Sequence, residues 1–147
     1  MSAPSGDRVE LELPSRLELL VVMDKIAESL AEVMAFDDVD RDAVAISLVE
    51  AVTNAIQHGH HADPSKRVKV SFELRPDELI MTVSDQGTGY EPEETADTAP
   101  PDLLATRGRG LFLMRSTMDE VSYDNSNGTT VRLVKRRSPA AEGGEDA

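Results

Sequence analysis

Apolar and polar residues alternate at Val9, Leu11 and Leu13, which predicts a short strand stopped by Pro14. The period then lengthens. Leu17, Leu20, Val21, Ile26, Leu30 and Val33 follow at helical spacing, and Ser15 with Glu18 has the spacing of a capping box, so a helix is expected to open at Ser15 and to break at the acidic FDDVD. A second helix is predicted over about 41–58, with Asp40 as its cap and Gly59 as its stop. Period two returns at Val68, Val70, Phe72 and Leu74 and again at Leu79, Met81 and Val83, an antiparallel pair turning over 75–78. Residues 90–106 are rich in Pro, Thr, Ala and carboxylates, too long and polar for an ordinary connection, and read as a lid or a disordered loop. A third helix is expected from near Arg109 to about Met118. Val121 and Tyr123 with Val131 and Leu133 then form a hairpin closed over Asn127 and Gly128.

Strands and helices that segregate in this way predict an α+β fold, a two-layer sandwich with helices on one face of a mostly antiparallel mixed sheet. The 147 residues, 39% of them hydrophobic, suffice for one core, placed at 8–137. Residues 1–7 and 138–147 are expected to be disordered tails, the second one acidic, because their small, polar and charged residues cannot repay the entropy of ordering.

Charge narrows the function. With 28 Asp and Glu against 15 Lys and Arg the net charge is −13, which disfavours a direct nucleic-acid partner. Aromatic residues make up 3% of the chain, too few for a base-stacking platform. Absence of Cys excludes disulfides, thiolate metal sites and Cys nucleophiles. The segment MSAPSGDRVE has neither a basic start nor an apolar signal core, and no apolar run is long enough to span a membrane, so a cytoplasmic protein without a membrane partner is expected.

Three short motifs could carry chemistry. In VEAVTNAIQHG, Glu50, Asn54 and His58 fall on one stripe of the second helix, opposite Val44, Leu48, Val52 and Ala55. A solvated helix face would favour Lys, Glu or Ala over a mid-helix Asn; Glu with Asn instead supplies oxygen atoms for a hard cation and a candidate base. In SDQGTGY, Asp85 at a strand end can accept a hydrogen bond from an amino group, and Gly87 and Gly89 allow a ligand to approach the backbone. In RGRG, Arg107, Gly108, Arg109 and Gly110 lead into a helix whose free N–H groups suit phosphate oxygens. The Walker and Rossmann glycine patterns are both missing. His58, His60 and His61 lack the carboxylate or thiolate partners of a zinc site, Asp63 apart.

In this order, ExxxNAxxH, DxGxG, a lid, GRG and a closing GTT resemble the GHKL ATP-binding domain, the Bergerat fold. EAVTNAIQHG, SDQGTGY, RGRGLFLMRSTMDEV and NGTTVRLVKR are similar to the RsbW and SpoIIAB group of anti-sigma factor serine kinases, over roughly residues 9–137. The resemblance implies ATP and Mg²⁺ as cofactors, Asn54 as metal ligand, Glu50 as base and Asp85 as adenine anchor. It also implies Gly87, Gly89, Gly108 and Gly110 as a backbone cradle, Thr130 beside Asp85, and Arg109 near the terminal phosphate, with Arg107 beside it. His58 is expected to cap the helix or to contact phosphate. The histidines cluster over 58–61 with no separate phosphoacceptor helix, so the substrate is expected in trans. The implied partners are a STAS-domain anti-anti-sigma protein, an RNA polymerase sigma factor and a second copy in a homodimer. Two rivals stand beside this serine/threonine kinase. One is a non-catalytic module in which ATP orders a partner-binding surface; the other is a regulator outside sigma control. The acidic residues at 91–98 are expected to face a partner, since carboxylates repel a triphosphate.

Overall fold

The computed structural model describes residues 6–59, 65–85, 114–124 and 128–137. Five strands and two helices are named along it: β1 (Asp7–Pro14), α1 (Leu20–Val33), α2 (Asp38–Asn54), β2 (Arg67–Leu74), β3 (Glu78–Ser84), β4 (Glu120–Asp124) and β5 (Thr130–Arg136). The strands form one sheet in the order β1-β2-β3-β5-β4. All four pairings are antiparallel, in keeping with the mostly antiparallel sheet expected from the sequence. The reason lies in the last hairpin: β4 leads the chain to one edge, and its return inserts β5 beside β3 in the opposite direction.

Strand parity builds the core. Leu13, Val68, Val70, Phe72, Leu79, Met81, Val83, Val131 and Leu133 project from one face of the sheet and are buried against Met23, Ala27 and Ala31 of α1 and Val44, Leu48, Ala51 and Val52 of α2. The opposite face is polar apart from Ile80 and Val134. These two are paired in register and buried, in line with Glu73 and Glu120 of the flanking strands. Arg136 there bonds both Glu78 and Glu120.

Helix boundaries differ from the sequence reading at each start. Ser15 is not the cap of the first helix: its N–H extends the sheet by donating to the Lys66 carbonyl at 3.0 Å. A 3-10 turn at Leu17–Leu19, entered from Arg16 with no side-chain cap, leads into α1 instead. The second helix starts earlier than expected because Asp37, not Asp40, caps it, its Oδ1 accepting from Asp40 N at 2.8 Å. Asp40 is instead buried, with Lys135 Nζ 3.4 Å from its Oδ1.

Between the helices, Phe36 N donates to Ala31 O and Ala35 N to Glu32 O, each at 3.0 Å, the two bonds of a Schellman motif. Ala35 occupies the left-handed position at φ 60° where glycine is usual. At the amino end, β1 begins at Asp7 and Gly6 N already donates to Leu74 O at 2.7 Å, so ordered backbone starts inside the expected tail. Residues 90–106, expected to form a lid or a disordered loop, and the tail 138–147 lie outside the described residues. So does the start of the third helix, of which residues 114–117 are described as helical.

Candidate functional site

The site is assembled at the end of β3. Asp85 follows the last β3 residue, on the helix-facing side by the parity of Met81 and Val83. Its N–H donates to Thr129 O at 3.0 Å, and Thr129 N returns a bond to Asp85 Oδ1 at 3.2 Å. Both residues are buried, at 4% and 1% exposure. One oxygen of the carboxylate is thus oriented by backbone. Preorganisation of this kind suits an acceptor that must read one ligand group.

Gly128 makes the approach possible. Its φ is +76°, and a Cβ built on it would fall inside 3.0 Å of the Asp85 carbonyl oxygen and 3.2 Å from Oδ1. Only glycine fits both the conformation and the space.

The structure corrects the placement of Thr130. Thr130 is in register with Ser84, and their hydroxyls are 3.1 Å apart on the face away from the helices. Thr129 is the threonine beside Asp85. Parity could have found it: Val131 and Leu133 point inward, so Thr129 must do so and Thr130 cannot.

Helix α2 supplies the second group. Asp40 at its start lies 3.4 Å from Lys135 Nζ near the end of β5, and Val44, Leu48, Val52 and Ile56 share one core with the inward face of the sheet. Asn54, its last residue, is 2% exposed. Glu50 lies one turn earlier and is half-buried; loss of hydration pushes its carboxyl above its ordinary value. A carboxylate so raised is a better proton acceptor near neutral pH than one in water. Asp40, Ser47 and Asn54 recur every seven residues and are all buried, a polar seam on the buried side of the helix. The Ser47 hydroxyl makes no hydrogen bond among the described residues.

A π turn, Ala55–Gly59, follows Asn54 directly. Such turns widen a helix and often mark functional positions. His58 falls on this turn by its backbone. Gly87, Gly89, Arg107, Gly108, Arg109 and Gly110 lie outside the described residues.

The donors present fit Mg²⁺. Among the described residues no three His, Asp or Glu side chains converge on a point, so there is no all-protein cage. Mg²⁺ rarely needs one; it binds through one or two protein oxygens together with substrate phosphates and water, a role open to the Asn54 amide with Glu50 nearby. Among the described residues no helix is long and apolar enough to cross a membrane.

Comparison with known proteins agrees with this geometry. Residues 13–135 match the family described as histidine kinase-like ATPase domain. The chain is 32% identical to a protein named serine-protein kinase RsbW from Bacillus licheniformis, over 89% of this chain and 86% of that one. It is 31% identical to the protein of the same name from Staphylococcus epidermidis, over 88% and 86%. Among solved structures, the RsbU and RsbW domains of a Mycobacterium tuberculosis protein superpose with a TM-score of 0.62 at 19% identity, covering 88% of this chain and 32% of that one. The histidine kinase domain of a blue-light activated kinase from Erythrobacter litoralis gives 0.54 at 16% identity, covering 92% and 65%. These two show the fold. A five-stranded antiparallel sheet under two helices, with Asp85 and Thr129 joined at the end of β3 and Asn54 ending the second helix, therefore belongs to a chain of the histidine kinase-like ATPase family, in its RsbW-like branch.

Proposed function

We propose that the chain is an ATP-dependent serine/threonine protein kinase and anti-sigma factor, which phosphorylates a STAS-domain anti-anti-sigma protein and sequesters an RNA polymerase sigma factor in the cytoplasm, as a homodimer. The observation that carries the enzymatic part is Glu50, a half-buried carboxyl with a raised proton affinity one turn from Asn54. A module that only bound nucleotide would have no need of a base there. The names of the RsbW relatives support the class of reaction.

In this reading Asp85, fixed by Thr129, accepts a hydrogen bond from the adenine amino group, and Gly128 allows the approach. Asn54 holds Mg²⁺, which supplies charge neutralisation when bound. Glu50 takes the proton of the incoming serine or threonine hydroxyl. Phosphoryl transfer asks little more of a protein than positioning and neutralised charge, so a small domain suffices. Gly87 and Gly89 flank the nucleotide, Gly108 and Gly110 cradle the phosphates, Arg107 and Arg109 reach toward them, and His58 caps the helix end or meets phosphate.

The test is transfer of label from Mg·ATP to the STAS-domain protein encoded nearest the gene, with wild type and Glu50→Gln side by side. The amide keeps the shape but takes no proton, so transfer should fall about 10²- to 10⁴-fold while nucleotide and sigma factor still bind. Transfer at the wild-type rate by Glu50→Gln would remove Glu50 as base. No transfer by wild type, with ATP bound, would leave the non-catalytic module.

A further inference from the structure

Helix α2 carries apolar side chains on its solvent side. Val39 is 74% exposed and Ile46 46% exposed, while Val44, Leu48 and Val52 of the same helix fill the core. Single exposed apolar residues are ordinary on a protein surface; these two stand out by their spacing. At 100° per residue Val39, Ile46 and Glu50 fall within about 40° of one another, and Ile46 precedes Glu50 by one turn. Along the helix axis Ile46 is about 6 Å from Glu50 and Val39 about 16 Å, so an apolar stripe leads up to the carboxyl.

Residue type points the same way. A β-branched side chain loses rotamer freedom in a helix, and an exposed position that had only to be helical is better served by Lys, Glu or Ala. Asp38 and Asp42 flank the stripe and are exposed. Arg41, the one basic residue of α2, lies about 140–180° round the helix from the stripe, so the charge beside it is negative.

The proposed chemistry needs a surface here. For Glu50 to take a proton from a serine or threonine, that hydroxyl must come within about 2.6–3.2 Å of the carboxylate. A folded protein cannot deliver one side chain there without covering what surrounds it. A specific interface takes about 800 Å² from each partner, a patch roughly 16 Å in radius. Centred on Glu50, such a patch holds Ile46 well inside and Val39 at its rim.

We propose that Val39 and Ile46 form the docking stripe for the phosphoacceptor protein, whose matching surface carries an apolar side chain beside the acceptor hydroxyl and a Lys or Arg that meets Asp42. The inference rests on the kinase reading above and names the surface used by its protein substrate. Ile46, near the centre of the footprint, is the anchor; Val39 contributes less.

Initial rates of label transfer from Mg·ATP to the STAS-domain protein test this for wild type, Ile46→Ser, Ile46→Met, Val39→Ser and Asp42→Asn, with calorimetry of Mg·ATP binding alongside. Serine matches isoleucine in helix propensity, so the helix is kept. In Ile46→Ser the KM for the protein substrate should rise about five- to tenfold, because about half of the side chain is still open to burial by a partner. Ile46→Met should stay near wild type. Val39→Ser should raise KM about twofold, and Asp42→Asn about threefold with a weaker dependence on salt. Both kcat and Mg·ATP affinity should stay within about twofold, as for a contact made equally in ground and transition states. An unchanged protein KM in Ile46→Ser would overturn the proposal. So would a loss of Mg·ATP affinity in step with KM, which would put Ile46 in the nucleotide site, or dissociation of a wild-type dimer by Ile46→Ser, which would put a second copy on the stripe. A wild type that binds Mg·ATP and transfers no label overturns the kinase reading itself, and this inference with it.

Discussion

Gly128→Ala should be strongly destabilising, and its magnitude can be worked from two terms. The first is conformational. At φ +76° an L-residue is left-handed, costing about 1–2 kcal/mol, of which about 0.4–1 is offset because alanine has fewer unfolded conformations than glycine. The second is steric. The new Cβ would overlap the Asp85 carbonyl, a backbone atom one residue beyond β3 that cannot swing aside, and forced overlaps of this kind cost about 1–3 kcal/mol. Together they give a loss of about 1–4.6 kcal/mol.

Gly6→Ala separates the two terms. Gly6 also has positive φ, +90°, but nothing lies within 4 Å of its would-be Cβ. It should lose about 1 kcal/mol or less. Urea unfolding followed by far-ultraviolet circular dichroism measures both. With a slope of about 2 kcal/mol/M the Gly128→Ala midpoint should fall by about 0.5–2.3 M, and by more than that of Gly6→Ala, which should fall by less than about 0.5 M. Adenosine affinity should fall in Gly128→Ala alone. Equal losses at the two glycines would refute the close approach of Gly128 to Asp85, and with it the oriented carboxylate on which adenine reading depends.

Three further outcomes are expected. Thr129→Val should weaken ATP binding about tenfold, as loss of a polar group beside Asp85, while Thr130→Val, on the opposite face, should leave calorimetric affinity unchanged; the reverse order would restore Thr130 to the site. Ala35→Gly should raise stability to urea by about 1 kcal/mol by relieving the left-handed alanine of the Schellman motif, and no gain would mean that the turn is unstrained. For Glu50, burial raises the folded pKa above the unfolded one, so the ionised carboxylate destabilises the fold above the folded value and the cost vanishes below the unfolded one. Glu50→Gln should therefore raise the melting temperature at neutral pH, with the difference shrinking as pH falls through the carboxylate range; a gain independent of pH would mean that burial of the charge is not its source.

What the sequence alone determined was everything that depends on local period and on residue type. Alternation at 68–74, 79–83 and 131–133 gave the inward faces of β2, β3 and β5, because a strand's side chains have period two whatever it pairs with. The Glu50–Asn54 stripe needed only the helical repeat, and Asp85 at a strand end needed only the run before it. The order of motifs pointed to the ATPase family, and residues 13–135 match it.

Tertiary structure decided what depends on partners distant in sequence. Ser15 reads as a cap until Lys66 offers its carbonyl, and Asp40 reads as a cap until Asp37 takes that role and Lys135 arrives from across the core. The choice between Thr129 and Thr130 turned on register with Asp85, a contact 44 residues away in the chain. Glu50 could be named as a base from its spacing, but its raised proton affinity comes from burial, which exists only once the helix is packed. The physical reason is common to all of these: propensity and period are properties of a few consecutive residues, whereas which donor meets which acceptor, and which charge loses its water, are set when sheet and helices close over one core.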